Sequence, residues 1–248
     1  MIKAVFFDLG ATLWDDYPSE LAYWALVVEE LQSHGFAVDM ERMITESQAV
    51  IATFCPSLTR SIVWRITGGC RRTYDAVLGA ATPRILQRLA DPAELVRLTP
   101  LFPGVHDMLE ELASRYTLAV VSQNFVEAER WMELHGIDVY FEHTSISARD
   151  KLYKPDTRLF LKTCEAVGVE PQQTVMVGDR LDNDIWPANR IGMRSVRVLA
   201  DPYRIQQPRY HNDVPDHTVE AVAEVASLML DLAPLPLTAK PSGTASGA

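Results

Sequence analysis

The sequence predicts an α/β architecture: a mostly parallel sheet between two layers of helices, with an all-helical unit inserted near the amino terminus. Three observations carry this. Short runs rich in Val and other apolar residues end abruptly in polar residues, as strands buried on both faces do. Segments of helical periodicity separate these runs, and strands alternating with helices give a parallel sheet with right-handed crossovers. Only residues 15–95 break the alternation, staying helical throughout.

The elements follow in order. Ala4–Phe7 is the first buried run; it ends at Asp8, and Gly10 and Thr12 turn the chain away. A carboxylate at the carboxyl end of a buried strand stands where open α/β sheets place their ligands. After an acidic stretch, 14–19, Ser19 is the candidate cap of a helix with Leu21, Trp24, Ala25, Val28 and Leu31 on one face, ending near Gly35. Helical patterns continue over 40–54, 58–66, 71–78 and 83–89, broken at Pro56, Gly68-Gly69 and Gly79. Pro103-Gly104 marks the return to alternation: a helix over 105–114, then a strand over 117–121 ending in Ser122-Gln123-Asn124. A helix over 126–135, a strand over 141–146 and a loop over 147–153 lead to Lys154-Pro155-Asp156. Pro155 suits the first turn of a helix that carries Leu159, Phe160, Cys164 and Val167 inward. A strand over 174–177 ends at Gly178-Asp179, a helix runs to Gly192, and 195–199 is the last strand. A loop over 201–215 and a closing helix over 218–232 complete the pattern, and the small and polar residues after Ala233 predict a disordered tail. The expected division is an α/β core over 1–14 and 96–232, a helical unit over 15–95 and the tail over 233–248.

Composition narrows the function. A chain of 248 residues suits one large domain or two modest ones, at about 150 residues per domain. A net charge of −10 argues against a general nucleic-acid or anionic-membrane binder. It leaves room for a small anionic substrate, because a metal and a few cations reverse the sign inside a cleft. Cys55, Cys70 and Cys164 are scattered and form no CxxC pair, so neither a disulfide framework nor a zinc site is expected. Too few apolar residues precede Asp8 for a signal-peptide core, and no run reaches the roughly 20 residues of a membrane span, so a cytoplasmic protein is expected.

Three strands thus end in Asp8, Ser122 and Asp179, with Asp184 five residues further on and Lys154 just before a helix. Parallel strands bring their carboxyl ends to one edge, so these groups should converge. Clustered carboxylates repel unless a cation sits between them, and hard oxygen ligands favour Mg²⁺. Such a cleft suits phosphoryl transfer: a carboxylate attacks phosphorus while the metal, the lysine and the Ser122 hydroxyl neutralise the phosphoryl oxygens.

At this level the sequence resembles the haloacid dehalogenase (HAD) superfamily, most of whose members are Mg²⁺-dependent phosphatases working through a phospho-aspartate. The resemblance rests on Asp8-Leu9-Gly10-Ala11-Thr12-Leu13, Val121-Ser122-Gln123-Asn124, Lys154-Pro155-Asp156 and Gly178-Asp179-Arg180-Leu181-Asp182-Asn183-Asp184. It implies a Rossmann-like three-layer sandwich with the insert as a helical cap. It also implies roles: Asp8 as nucleophile; Ser122, Asn124 and Lys154 as phosphate-binding groups; Asp8, the Gly10 carbonyl, Asp179 and Asp184 around Mg²⁺. One position departs from the pattern. Family phosphatases usually carry a second Asp, the general acid and base, where this chain has Gly10. A missing acid–base group costs on the order of 10²–10⁴-fold in rate, so the resemblance implies weak turnover, a good leaving group or a substitute proton carrier. Asp15 and Asp16 are read as a solvated hinge rather than as that substitute. The dehalogenase branch also lacks the second Asp but dispenses with the metal, and the Asp179…Asp184 motif argues against it. A non-catalytic relative that binds a phosphorylated ligand is the other alternative.

Lesser features are read as structural. Arg60, Arg65, Arg71 and Arg72 are read as solvated or ion-paired, Trp14, Trp24 and Trp64 as packing residues, and Arg204 and Arg209 as structural loop residues. The six histidines show no ligand spacing.

Overall fold

The structure, a computed structural model, describes residues 1–55 and 57–231. Six strands form one sheet: β1 (Ala4–Phe7), β2 (Thr117–Ser122), β3 (His143–Ile146), β4 (Thr174–Gly178), β5 (Arg194–Val198) and β6 (His217–Val219). Their order is β3-β2-β1-β4-β5-β6, and every adjacent pair is parallel. The chain leaves β1 towards β2 on one side and returns to β4 on the other, which makes the carboxyl end of β1 a topological switch point. Side chains alternate across the sheet. Val5, Phe7, Leu118, Val120, Val175 and Val177 face one apolar layer, and Ala4, Phe6, Ala119, Val121 and Met176 the other.

Between β1 and β2 lie six helices: α1 (Tyr17–Ser33), α2 (Met40–Ala52), α3 (Leu58–Ile66), α4 (Arg71–Leu89), α5 (Pro92–Leu98) and α6 (Val105–Ala113). The first four share a core of their own, built on Trp24, Val27, Leu31, Met43, Ile62, Val63, Val77 and Ala81. Helix α6 packs on the sheet through Val105, Met108, Leu109 and Leu112. The remaining helices are α7 (Ala128–His135), the single turn α8 (Ser147–Asp150), α9 (Thr157–Ala166), the short α10 (Trp186–Arg190) and α11 (Glu224–Asp231). α9 and α10 cover the second face of the sheet, and α11 joins α6 on the first. This is the three-layer α/β sandwich that the sequence predicts.

Several elements differ from the sequence expectation, each for a physical reason. Helix α1 starts at Tyr17 with Pro18 in its first turn, so Ser19 lies inside the helix. Ala25 is exposed and Val27 takes its place in the core. Gly79 does not break α4. Pro83 removes the bond to the Gly79 carbonyl, yet burial of Val77, Ala81 and Ile85 at four-residue spacing holds the helix continuous. The expected boundary at 95/96 falls inside α5. Pro155 precedes its helix, because the Asp156 side chain caps α9 by accepting from the Arg158 N–H. Residues 181–185 form a wide π-type turn before α10 rather than a regular helix. Residues 217–219 are an edge strand, and the closing helix begins only at Glu224. Trp64 is 46% exposed and packs edge-on against Tyr74 instead of entering a core. Pro56, Leu232 and the expected tail at 233–248 lie outside the described residues.

Candidate active site

The carboxyl ends of β1, β2 and β4 open into a cleft of about 370 Å³ between the sheet and the helical insert. Asp8, Gly10, Ser122, Asn124, Lys154, Asp179 and Asp184 all line it, so the structure brings together every site residue that the sequence singles out.

Each is placed by its local chain. Asp8 follows β1, and its N–H donates to the Val177 carbonyl, which ties it to β4. The chain then turns, with the Leu13 N–H donating to the Leu9 carbonyl, and Gly10 faces the cleft. Gly178 ends β4 and has a steric role: a Cβ there would lie 2.6 Å from the Asp184 Cβ. The absence of that atom lets the turn fold back, and Asp184 accepts from the Arg180 N–H at 3.0 Å while its own N–H donates to the Arg180 carbonyl. Lys154 is 4% exposed, and its Nζ donates to Asp8 Oδ1 at 2.8 Å and Asp184 Oδ1 at 2.5 Å. Ser122 is buried at the end of β2, with Asn124 two residues beyond.

The electrostatics are strongly unbalanced. One oxygen from each of Asp8, Asp179 and Asp184 lies within 4.8 Å of the other two, and among the described residues Lys154 is the one cationic side chain hydrogen-bonded to the group. Burial, then the charges of Asp184 and Asp8, hold the Asp179 carboxyl well above the usual carboxylate range. Burial raises Asp184 to about 6 even against the pull of Lys154. Asp179 Oδ2 is buried with no hydrogen-bond partner. A buried carboxylate oxygen without a partner is costly, and all-oxygen ligation is what a hard divalent cation requires. The residues therefore fit Mg²⁺ between Asp8, Asp179 and Asp184.

The expectation of a solvated hinge at Asp15 and Asp16 does not hold for Asp16. Its carboxylate lies against Gly10: a Cβ on Gly10 would overlap Asp16 Oδ2 and come within 3.1 Å of its Cγ. Burial, and then the charges of Glu20, Asp8 and Asp15, push its pKa up to about 8. Glu20 lies beside it, its carboxyl raised by burial and accepting from the Thr59 hydroxyl at 2.8 Å. The density of acids over residues 15–20 is the available signal in the sequence, but apolar patterning does not tell a half-buried carboxylate facing the cleft from a solvated one.

Two further residues shape the site without a sequence signal. Arg197 is buried on β5 and donates to the backbone carbonyls of Asp179, Tyr203 and Gln206. Gln206 in turn accepts from the Leu181 N–H and donates to Asp182, so Arg197 braces the turn that carries Asp184. Arg180 stacks on Tyr203, 4.6 Å from the ring centroid, and donates to the Cys55 carbonyl of the insert. Of the insert arginines, Arg65 pairs with Glu46 and Arg71 with Asp75, whereas Arg60 lines the cleft.

Residues 2–192 match the family model described as haloacid dehalogenase-like hydrolase. The chain belongs to this family. The haloacid dehalogenase-like chain is 31% identical to the glyceraldehyde 3-phosphate phosphatase of Methanopyrus kandleri, over 94% of this chain and 99% of that one. It is 25% identical to the N-acylneuraminate-9-phosphatase of Mus musculus, over 92% and 94%. The HAD phosphatase of Thermococcus onnurineus shares the fold, with a TM-score of 0.63 at 22% identity over 92% of this chain and 98% of that chain. The protein is thus a hydrolase of the haloacid dehalogenase-like family whose curated relatives are phosphatases. Among the described residues no helix is long and apolar enough to cross a membrane.

Proposed function

We propose that the protein hydrolyses a small phosphate monoester through a covalent intermediate on Asp8. The observation that carries this reading is the convergence of Asp8, Asp179 and Asp184 around one point, with Lys154 buried between two of them. Asp8 Oδ1 is held by Lys154, which orients the carboxylate. Its other oxygen is the nucleophile: it forms a bond to phosphorus as the ester oxygen leaves, and water later cleaves the Asp8–phosphate bond. The Ser122 hydroxyl and the Asn124 amide, at the end of β2, bind phosphoryl oxygens. Asp8, Asp179, Asp184 and the Gly10 carbonyl hold Mg²⁺, which when bound neutralises charge on the phosphoryl group.

The helical insert is read as a cap that closes over the bound ester, excludes water and contributes the far wall through Tyr23, Thr59 and Arg60. The net charge of −10 is compatible with an anionic substrate because the site's own cations act at close range. Glyceraldehyde 3-phosphate, named in the Methanopyrus kandleri relative, is the first substrate to test. The unpartnered Asp179 oxygen favours this metal-dependent reading over dehalogenation, which needs no cation there.

The test is phosphate release from glyceraldehyde 3-phosphate and an aryl phosphate, with Mg²⁺ and with a chelator, for wild type and Asp8→Asn. Release that needs Mg²⁺ and is abolished in Asp8→Asn is expected. Halide release from a 2-haloacid without metal, in place of phosphate release, would move the protein to the dehalogenase branch.

A further inference from the structure

Cleavage of an unactivated phosphate ester leaves an alkoxide that needs a proton, and hydrolysis of the resulting acyl phosphate needs a base for water. Most ionisable groups lining the cleft are committed elsewhere. Asp8 is the nucleophile, Asp179 and Asp184 form the cation site, and the Lys154 ammonium donates to Asp8 and Asp184. Glu20 accepts from Thr59, and Arg180 is paired with Asp182.

Asp16 is different. It stands at the N-cap of α1, where an Asp side chain ordinarily accepts from the first-turn N–H groups, yet its carboxylate makes no such bond. Its backbone carbonyl accepts from the N–H groups of Ser19 and Glu20 and from the Ser19 hydroxyl, while the neighbouring Asp15 carboxylate accepts from the Tyr17 N–H. The side chain is turned instead into the cleft, onto the Cα of Gly10, two residues from the nucleophile. Any side chain at position 10 would occupy the place that the Asp16 carboxylate fills, so Gly10 and Asp16 form a complementary pair.

We propose that Asp16 is the proton carrier of the reaction. In the first half, Asp8 forms its bond to phosphorus, the bond from phosphorus to the ester oxygen breaks, and that oxygen takes the proton of the Asp16 carboxyl. In the second half, the Asp16 carboxylate takes a proton from water as the water oxygen bonds to phosphorus. The Asp8–phosphate bond breaks, inorganic phosphate leaves, and Asp16 is again protonated.

This role rests on the phosphatase reading, and rapid mixing separates the two. Wild type, Asp16→Asn and Asp8→Asn are mixed with an aryl phosphate and with glycerol 3-phosphate in Mg²⁺, following alcohol release, phosphate release and phosphorylated Asp8. With the aryl ester, whose leaving group needs no proton, Asp16→Asn should still phosphorylate Asp8 and then accumulate it, turnover falling about 10²–10⁴-fold. With the alkyl ester, formation of phosphorylated Asp8 should itself slow by a similar factor. Gly10→Asp alone should lose activity through collision with Asp16, and Gly10→Asp/Asp16→Ser should recover part of it by supplying the carboxylate from position 10. Asp16→Asn turning over both esters at the wild-type rate would overturn the proposal. So would equal loss of both half-reactions with the aryl ester, which marks a structural or cation-binding role. If wild type phosphorylates nothing at Asp8, the phosphatase reading itself fails and this role falls with it.

Discussion

A missing side chain at position 178 lets a carboxylate touch the end of the strand that precedes it. Asp184 sits so close to Gly178 that even one carbon there would meet its Cβ at 2.6 Å. Backbone and a short, buried side chain cannot yield by that much, so Gly178→Ala should displace Asp184 and with it the partner of Lys154. We expect Gly178→Ala to lose at least 10²-fold in turnover with Mg²⁺ affinity weakened, while the melting temperature falls only modestly. Unchanged Mg²⁺ affinity by titration calorimetry would contradict this. The residue scale is also where the sequence was most and least legible. Asp8, Lys154, Asp179 and Asp184 stand at strand ends or next to a Pro-marked helix start, and chain order alone brings them together. The place of Asp16 is not legible, because it depends on how α1 enters the insert, which no local pattern encodes.

At the scale of elements, α7 carries a histidine whose charged form is disfavoured. His135 ends that helix, lies beside Trp14 and shares a hydrogen bond with the Thr99 hydroxyl. Burial, and then the charge of His106, lower its pKa. The folded state therefore binds fewer protons than the unfolded chain near pH 6.5, and its stability falls as the pH drops through that value. Denaturant unfolding should show wild type less stable at pH 5.5 than at 7.5, and a smaller difference in His135→Gln. Equal differences in the two proteins would show that other groups dominate. Strands were legible where they were apolar on both faces, as in β1 and β4. β6 was not, because three residues at a sheet edge with one buried position carry no period. At Gly79 local propensity speaks against a helix, and packing of α4 against α1, α3 and α5 decides otherwise.

At the scale of the molecule, the parallel sheet and the insert face each other across the cleft. The sheet places Asp8, the proposed nucleophile, and the cluster of Asp8, Asp179 and Asp184 at a switch point, and the insert supplies Asp16, Glu20 and the outer wall. Contacts between them run through Arg180, which donates to the Cys55 carbonyl, through Tyr203, which packs against the insert's core, and through Arg209, which lies 3.5 Å from the centroid of Phe54. The alternation of strands and helices made the sheet readable from sequence, and a single long helical interruption made the insert readable. How the insert seats on the sheet was not readable, because it depends on cation–π and carbonyl contacts between distant segments. The proposed chemistry turns on phosphorylation of Asp8 during turnover. The most direct measurement is rapid quench of wild type with glyceraldehyde 3-phosphate and Mg²⁺, followed by mass spectrometry of the peptide containing Asp8. Phosphate on Asp8 is expected, absent in Asp8→Asn and absent without Mg²⁺; phosphate release with Asp8 unmodified at every quench time would contradict a covalent intermediate there.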